Sequence, residues 1–286
     1  MFRISTSGAF TSLYSFTGGT DGWSPQAGLA QASDGNFYGT TTWGGTNGYG
    51  AVFKTSRNGG HAVLYSFKLG SDGANPEAAL VQADDGYFYG STTVAGTLGL
   101  GTIFRISTDG ELTTLYSFTG GNDGASPGSP LVQGSDGYLY GMTLTGGTNG
   151  YGNVFKISTN GVMATLYEFA DGEDGANPRG GLMLGSDGNF YGTTSRAGAW
   201  GWGTVFRLSL GLAAPITQAI TLANGAVTVT WSAAPGASYQ IEFTTDLISG
   251  TWSNLGSVLT TTGATLSATD SVTNGPVRFY RVVLLP

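Results

Sequence analysis

The stretch that decides the fold is Asp34-Gly35-Asn36-Phe37-Tyr38-Gly39-Thr40-Thr41, because the chain repeats it three more times. The copies are Asp85–Thr92, Asp136–Thr143 and Asp187–Thr194, and each begins 51 residues after the one before. Every copy joins an Asp-Gly turn signal to a run of aromatic and β-branched residues, which is typical of a hairpin strand. A fixed period of this length indicates a repeat architecture.

Other positions repeat with the same spacing. Phe-Arg or Phe-Lys stands at residues 2, 53, 104, 155 and 206, and Leu-Tyr stands at residues 13, 64, 115 and 166. In the second copy, four strand-like runs follow one another, namely Ala79–Gln82, Phe88–Thr93, Thr102–Ser107 and Thr113–Phe118. Asp85-Gly86 predicts a type I′ turn, which needs a positive φ at both central residues. Four antiparallel strands in about 50 residues make one propeller blade, so we predict an all-β chain with a small propeller of four blades.

The two ends of the repeat region leave its closure open. The fourth copy reaches Phe206–Ser209 without a following Leu-Tyr strand, and we expect Leu13–Phe16 to supply that strand and close the last blade. Phe2–Ser5 then duplicates Phe206–Ser209. The duplicate fits equally a piece of a longer propeller, or protomers that complete each other's blades. A homo-oligomer that forms through open terminal strands is therefore one predicted partner.

After the repeats the composition changes. We expect residues 1–209 to form the propeller, residues 210–215 a linker and residues 216–286 a small β-sandwich rich in Thr, Ser and Val. Its predicted strands include Ala226–Trp231, Tyr239–Thr244, Ala264–Ala268 and Arg278–Leu284. Its predicted core consists of Trp231, Tyr239, Ile241, Phe243, Trp252, Leu255, Phe279 and Val282.

The composition excludes several classes of function. The chain has 286 residues, 50 of them Gly, and a net charge of −7 with only 11 basic residues, which argues against nucleic-acid binding. No stretch approaches the roughly 18 apolar residues of a membrane span, and Met1 leads directly into a strand-like run, so we expect no signal peptide in this chain. With no Cys and one His, disulfides, thiol catalysis and histidine-rich zinc sites are excluded.

The repeats resemble a known family. Ser33–Thr41, Gly203–Arg207 and Leu13–Phe16 look like the GloVer tandem repeat of Verrucomicrobia and related bacteria, and the resemblance covers residues 2–209. The tail, with Trp231-Ser232 and Phe279-Tyr280-Arg281-Val282, resembles fibronectin-type-III-like modules. These resemblances imply an extracellular or cell-surface protein, and they imply no particular activity.

Few residues suggest chemistry. His61 stands where the other copies have Phe10, Leu112 and Met163, so we expect it to pack in the fold. The repeated Asp-Gly residues are expected to hold turns. The alternative is a calcium site, for which Asp171, Glu173 and Asp174 are the best candidates.

Positions where the copies differ are better candidates for function. The loops between the second and third strands carry Trp43, Tyr49, Tyr151, Trp200 and Trp202, which we predict to contact a ligand by stacking on sugar rings or other flat apolar faces. These loops predict a non-catalytic binding module for a glycan or protein partner.

Two alternatives remain open. A carboxylate-dependent enzyme on polysaccharides or esters would use Glu77 with Asp84, or Asp171 with Glu173, since glycoside cleavage needs two carboxylates about 5–10 Å apart. A self-assembling structural protein would use the similar blades and open strands instead.

Overall fold

The computed structural model describes residues 1–134, 136–185, 187–209, 217–233, 237–248, 251–260, 263–272 and 277–285. Every regular element in these ranges is a β-strand, which confirms the all-β prediction. The chain forms two compact units. The first comprises residues 1–133, 137–183 and 191–206, and the second comprises residues 134–136, 184–190 and 207–286. Across the described ranges there is no helix of the length and apolarity that crossing a membrane requires.

The repeats form a hairpin and four small sheets. The hairpin pairs β1 (Phe2–Ile4) with β2 (Phe10–Ser12). Sheet I contains β3 (Ala30–Gln31), β4 (Phe37–Thr41), β5 (Ala51–Thr55) and β6 (His61–Ser66). Sheet II contains β7 (Val81–Gln82), β8 (Phe88–Thr92), β9 (Thr102–Ile106) and β10 (Leu112–Ser117). Sheet III contains β11 (Val132–Gln133), β12 (Leu139–Thr143), β13 (Asn153–Ile157) and β14 (Met163–Glu168). Sheet IV contains β15 (Ala176–Pro178), β16 (Met183–Leu184), β17 (Phe190–Arg196) and β18 (Val205–Leu208).

In sheets I to III the strands are antiparallel and hydrogen-bonded in chain order, as the hairpin signals predict. The register in sheet II places Gly90 opposite Phe104. A Cβ on Gly90 would lie 2.6 Å from the Phe104 ring, so the aromatic ring occupies the space that a side chain would need. Gly39, Gly141 and Gly192 meet the same ring in their own repeats. This close approach explains why every copy of the motif has Gly after the Tyr.

Aromatic rings join each repeat to the next. The Phe at the end of each outer strand packs edge-on against the Phe of the following third strand, as Phe67 does on Phe104 at 5.3 Å between ring centroids. Phe118 on Phe155 and Phe169 on Phe206 repeat this contact at 5.4 and 5.3 Å. These Phe side chains, apart from Phe206, are almost fully buried. The core of the repeat region is therefore a series of identical contacts between neighbouring sheets.

The hairpin turn of the repeat differs from the predicted type I′ turn. Only Gly86 of Asp85-Gly86 has a positive φ, at 83°, and the Ala83 N–H bonds the Tyr87 carbonyl while the Gly86 N–H bonds the Ala83 carbonyl. This is a longer loop with a single left-handed residue. Asp85 accepts a hydrogen bond from the Tyr87 N–H, which holds the loop without a second positive φ.

The N-terminal segment also differs from its predicted place in the last blade. β2 pairs with β1, and the Met1 carbonyl accepts the N–H groups of Leu13 and Tyr14. Phe16 then packs on Phe53 of sheet I at 5.2 Å, just as the later outer strands pack on the sheets that follow them. β18 pairs with β17. The physical reason is that the N-terminal segment pairs with itself: β2 and the residues after it bond to β1 and Met1. Residues 13–16 therefore act as the outer strand that precedes sheet I.

The second unit contains two further sheets. Its strands are β19 (Thr217–Ala223), β20 (Ala226–Ser232), β21 (Ser238–Thr244), β22 (Ser253–Asn254), β23 (Leu259–Thr260), β24 (Thr265–Ser271) and β25 (Phe279–Leu284). One sheet has the order β19-β20-β24, and in the other β21 pairs with β22, β23 and β25.

Trp231, Tyr239 and Ile241 are fully buried in a core to which both sheets of the second unit contribute. Phe279 was predicted to belong to this core, but its side chain is 39% exposed and lies outside it. Phe243 and Trp252 are half-buried beneath the guanidinium groups of Arg278 and Arg281.

Candidate functional site

Two tryptophans lie side by side at the start of the first repeat. Trp23 and Trp43 exchange backbone hydrogen bonds of 2.9 and 3.2 Å, which form an isolated antiparallel bridge just beyond the end of β4. Residues opposite each other in such a bridge point to the same side. The two indoles consequently stack at 6.1 Å between centroids with an angle of 24° between their planes. They remain 49% and 41% exposed, and we call them the Trp23–Trp43 pair.

The same backbone bridge recurs in the next two repeats without the aromatic side chains. Ala74 pairs with Val94, and Ala125 pairs with Thr145. The bridge is therefore a structural feature of the repeat, and the indoles are an addition in the first copy. The loop aromatics predicted Trp43 but missed Trp23. The available signal was the column of residues 23, 74, 125 and 176, which reads Trp, Ala, Ala and Ala.

Glycines and polar groups surround the pair. A Cβ on Gly44 would lie 2.7 Å from the Cα of Gly22, and Gly44 has a φ of 75°. The backbone next to the indoles is therefore tightly packed, and only glycine fits at residue 44. The amide of Gln26 donates to the Ser24 hydroxyl at 3.2 Å on the exposed surface. Two flat apolar faces are thus followed in the chain by a hydroxyl one residue after Trp23 and an amide three residues after it.

The other predicted aromatics fall into two groups. Tyr49 and Tyr151 are half-buried, and their carbonyls accept the N–H groups of Asn75 and Asn177 in the following repeat. They pack between consecutive repeats. Trp200 and Trp202, in the loop between β17 and β18, are 88% and 89% exposed.

The repeated aspartates hold loops. Asp174 accepts hydrogen bonds at Oδ2 from the Tyr167 hydroxyl and the Ala170 N–H, and at Oδ1 from the Gly172 N–H. Its oxygens therefore face donors of its own loop rather than a cation. Asp171 takes a φ of 62° in this loop, a conformation that Asp tolerates. In the described ranges no three His, Cys, Asp or Glu side chains come together to hold a metal, so the candidate calcium residues are not assembled into a site.

The first copy of this loop shows the electrostatic effect of such bonds. Asp21 accepts from the Thr17 hydroxyl at 2.6 Å, from the Thr17 N–H at 2.8 Å and from the Tyr14 hydroxyl at 2.8 Å. The bond from the Thr17 hydroxyl is the main cause that lowers the pKa of Asp21 to about 2. In the second copy, burial and then the bond to Asp72 raise the pKa of Tyr65 to about 12. Each loop is stabilised with the carboxylate charged and the phenol neutral.

Of the four carboxylates in the enzyme hypothesis, only Glu77 lines one of the described cavities. Glu77 lines a small cavity whose other charged group is Arg179. Asp84 lies in the hairpin loop of sheet II, where its N–H donates to the Gln133 side chain of the next repeat. Asp171 and Glu173 are exposed in the loop held by Asp174. The described geometry thus gives no carboxylate pair that converges on one cavity.

His61 is a packing residue. Its ring stacks on Tyr14 at 3.9 Å and lies 5.2 and 5.4 Å from the rings of Phe53 and Phe16. Among the residues that the structure describes, neither ring nitrogen has a hydrogen-bond partner, and burial lowers the pKa of His61. A neutral imidazole between three aromatic rings replaces the apolar residue of the other copies, as the sequence columns predict.

The repeat region identifies the class of protein. The Gloeobacter/Verrucomicrobia repeat model matches residues 1–206, and the chain belongs to this family. This confirms the repeat family that the motifs resemble, while the fibronectin-like character of the tail remains a prediction. No curated protein sequence matches the chain.

Several solved structures are distantly similar. The periplasmic gluconolactonase of Pseudomonas aeruginosa is 14% identical, with a TM-score of 0.45 over 100% of this chain and 94% of the other. A protein of unknown function from Dyadobacter fermentans is 11% identical, with a TM-score of 0.40 over 71% and 73%. The xylan β-1,4-xylosidase of Bacillus halodurans is 13% identical, with a TM-score of 0.37 over 82% and 65%. Likenesses this distant do not indicate an activity.

Proposed function

We propose that this protein is a non-catalytic binding module that presents aromatic side chains to a glycan. The observation that carries the proposal is the Trp23–Trp43 pair, in which two nearly parallel indoles remain half exposed on a rigid backbone bridge. Pyranose rings have flat C–H faces that stack on aromatic rings, and their hydroxyls need hydrogen-bond partners at the edge of such a surface. Ser24 and Gln26, one and three residues after Trp23, share an exposed hydrogen bond and offer such partners.

The pair favours binding over packing for a specific reason. A tryptophan that only fills a core is buried, as Trp231 is, whereas Trp23 and Trp43 keep 49% and 41% of their surface exposed. The neighbouring repeats form the same bridge with Ala74 and Val94, so the fold does not require indoles there. Their loss should therefore weaken binding and leave stability nearly unchanged.

The test compares Trp43→Ala with Thr145→Ala, which removes the equivalent side chain in the third repeat. Both proteins and the wild type are run through native gels that contain soluble glucans, xylans, mannans or pectins. We expect at least one polysaccharide to retard the wild type and Thr145→Ala but not Trp43→Ala. Retardation of all three proteins alike, or of none by any polysaccharide, would contradict the proposal.

We propose the remaining architecture on the same basis. The 51-residue period and the four-stranded antiparallel sheets support a small four-bladed β-propeller for residues 1–209. The two sheets around Trp231 and Tyr239 support a fibronectin-like β-sandwich for residues 216–286. The family of the repeats supports an extracellular or cell-surface location. Labelling of intact cells with a membrane-impermeant reagent would test the location.

Self-assembly is a second candidate function, and one observation favours it. Phe2, Ile4 and Phe10 of the β1–β2 hairpin are 62%, 59% and 63% exposed, whereas Phe53 and Ile106, at positions of the repeat that match Phe2 and Ile4, are buried. A second copy would cover this apolar side. Light scattering over a range of concentrations should then give masses above 29.3 kDa for the wild type and for Val162→Ser, an exposed apolar control, but not for Phe10→Ser. A mass of 29.3 kDa at every concentration would exclude it.

A further inference from the structure

A cavity of about 240 Å³ in the first unit carries two opposite charges that the binding surface above does not use. Glu77 and Arg179 are its charged lining residues, Val94 and Leu144 form an apolar part of its wall, and Ser126 adds a hydroxyl. Gly128 completes the lining. The charged residues belong to different repeats, so the cavity is a product of the tertiary fold.

The repeat frame explains why these residues meet. Residues 77, 128 and 179 occupy one column, each directly after the conserved Pro. The residue before that Pro has a positive φ in every repeat, including 55° at Asn75, 54° at Ser126 and 52° at Asn177. Non-glycine residues rarely adopt this conformation, and it persists only where the surroundings impose it. Here the N–H of each of these residues is held by a carbonyl of the preceding repeat, as Ser126 is by Leu100.

The copies share this backbone but differ in the side chain that follows. The column reads Gln26, Glu77, Gly128 and Arg179. Gly128 needs no left-handed conformation, and a Cβ there would lie 3.4 Å from the Thr93 methyl and 3.8 Å from Oε2 of Glu77. The fold therefore tolerates a side chain at residue 128, and its absence leaves the cavity open beside the Glu77 carboxylate.

The two charges remain available to a ligand. Among the residues that the structure describes, the ion pairs are Arg278 with Asp270 and Arg281 with Glu242, all in the second unit. Glu77 and Arg179 are both solvent-exposed at the cavity. In a chain of net charge −7, a guanidinium without a salt bridge is a local attraction for a carboxylate.

We infer that this cavity binds a small sugar acid, with its carboxylate on Arg179 and its hydroxyls on Glu77. A simple carboxylate would gain the arginine contact alone, because it has no hydroxyl to donate to Glu77. A neutral sugar would leave the guanidinium without its anion. The two charged groups of an α-amino acid are attached to the same carbon. Glu77 and Arg179 instead belong to the repeats before and after the one that carries Gly128, so a ligand that spans both groups suits the cavity better. A sugar acid separates its carboxylate from hydroxyl donors across a ring, and the C–H face of that ring fits Val94 and Leu144.

The test measures glucuronate binding to the full chain by isothermal titration, with glucose, acetate and leucine as comparison ligands. We expect glucuronate to bind at least about tenfold more tightly than the others. Arg179→Gln should weaken glucuronate binding by about ten- to a hundredfold, the range expected for one charge-assisted hydrogen bond. Glu77→Gln should strengthen acetate binding relative to glucuronate, and Gly128→Gln should abolish binding because it fills the cavity.

Glutamine is chosen because Gln26 occupies this column in the first repeat, so the backbone accepts it. Glu111→Gln and Arg57→Gln change the net charge equally at exposed residues outside the cavity and should bind as the wild type does. Thermal melting of each variant verifies that it is folded. The inference is overturned if glucuronate does not bind at millimolar concentration, if Arg179→Gln binds it unchanged, or if leucine binds equally well. Trp43→Ala should leave this binding intact, which separates the result from the proposed glycan site.

Discussion

Replacing Gly73 by Ala should unfold the first unit far more readily than the same change at Gly86. Both glycines have positive φ values, 94° and 83°, so both substitutions cost about 1 kcal/mol for a left-handed Ala. Both also reduce the freedom of the unfolded chain by the same amount. They differ in their surroundings, because nothing lies within 4 Å of a Cβ on Gly86.

A Cβ on Gly73 would lie 2.1 Å from the Thr92 hydroxyl and 2.6 Å from the Thr102 hydroxyl. These buried hydroxyls bond each other at 2.8 Å, and Thr102 also bonds the Asp72 carbonyl at 3.3 Å. Overpacking in a filled core costs about 1–3 kcal/mol, and each broken hydrogen bond costs about 1 kcal/mol more. We therefore expect a loss of about 3–5 kcal/mol for Gly73→Ala and about 1 kcal/mol for Gly86→Ala.

The assay is urea unfolding at equilibrium, followed by tryptophan fluorescence and analysed for the transition of the first unit. An unchanged dependence on urea concentration would show that the midpoints report stability. Gly124→Ala, whose Cβ would lie 2.1 Å from the Thr143 hydroxyl, should repeat the large loss in the third repeat. If Gly73→Ala and Gly86→Ala lose stability equally, within about 0.5 kcal/mol, close packing does not explain the glycine at this position of the repeat.

Three further predictions concern pH. Burial lowers the pKa of His61, so below the ordinary histidine pKa of 6.5 the unfolded state binds more protons than the folded state. Stability should therefore fall as the pH drops below 6.5. His61→Leu, which copies Leu112, should remove this dependence in thermal melts between about pH 5 and 8. The raised pKa of Tyr65 contributes stability that is complete below pH 10 and is lost as the pH rises towards about 12, and Tyr65→Phe should flatten that loss. The pKa of Asp21, lowered to about 2, contributes stability above pH 3.8 that is lost as the pH falls towards about 2, and Asp21→Asn should lessen the acid dependence of the urea midpoint.

The sequence predicted the strands of the repeat region well because the same pattern occurs four times. The expected run Phe88–Thr93 corresponds to β8, and Thr102–Ser107 corresponds to β9. The sequence did not predict the partner of residues 13–16. The outer strands of all copies are alike, and so are the third strands, so the sequence does not show which third strand an outer strand pairs with. The hydrogen bonds of Met1 with Tyr14 and Leu13 depend on which copy lies next to them in space.

The candidate sites were predicted only in part, for a related reason. Trp43 and Glu77 stand out as departures from their columns, but Trp23 and Arg179 gain their meaning from the partners that the fold gives them. An alignment of repeats shows that residues 23 and 43 vary, and it does not show that a backbone bridge joins them. Departures from the repeat identify candidate residues, whereas only the register of the strands brings them into one site.

Both candidate sites depend on the same short segment of the repeat, from residue 23 to residue 26 in the first copy and its equivalents. Its backbone is held on both sides, by the bridge to the residue after the second strand and by the positive φ before Pro. Such a segment can change its side chains without changing its path, because packing and hydrogen bonds to the backbone already determine that path. The first copy uses this freedom for Trp23, and the second and fourth use it for Glu77 and Arg179. If both proposals hold, repeats that share a frame carry different ligand chemistry within one short segment, and we expect further binding residues of this family in the same segment of the repeat.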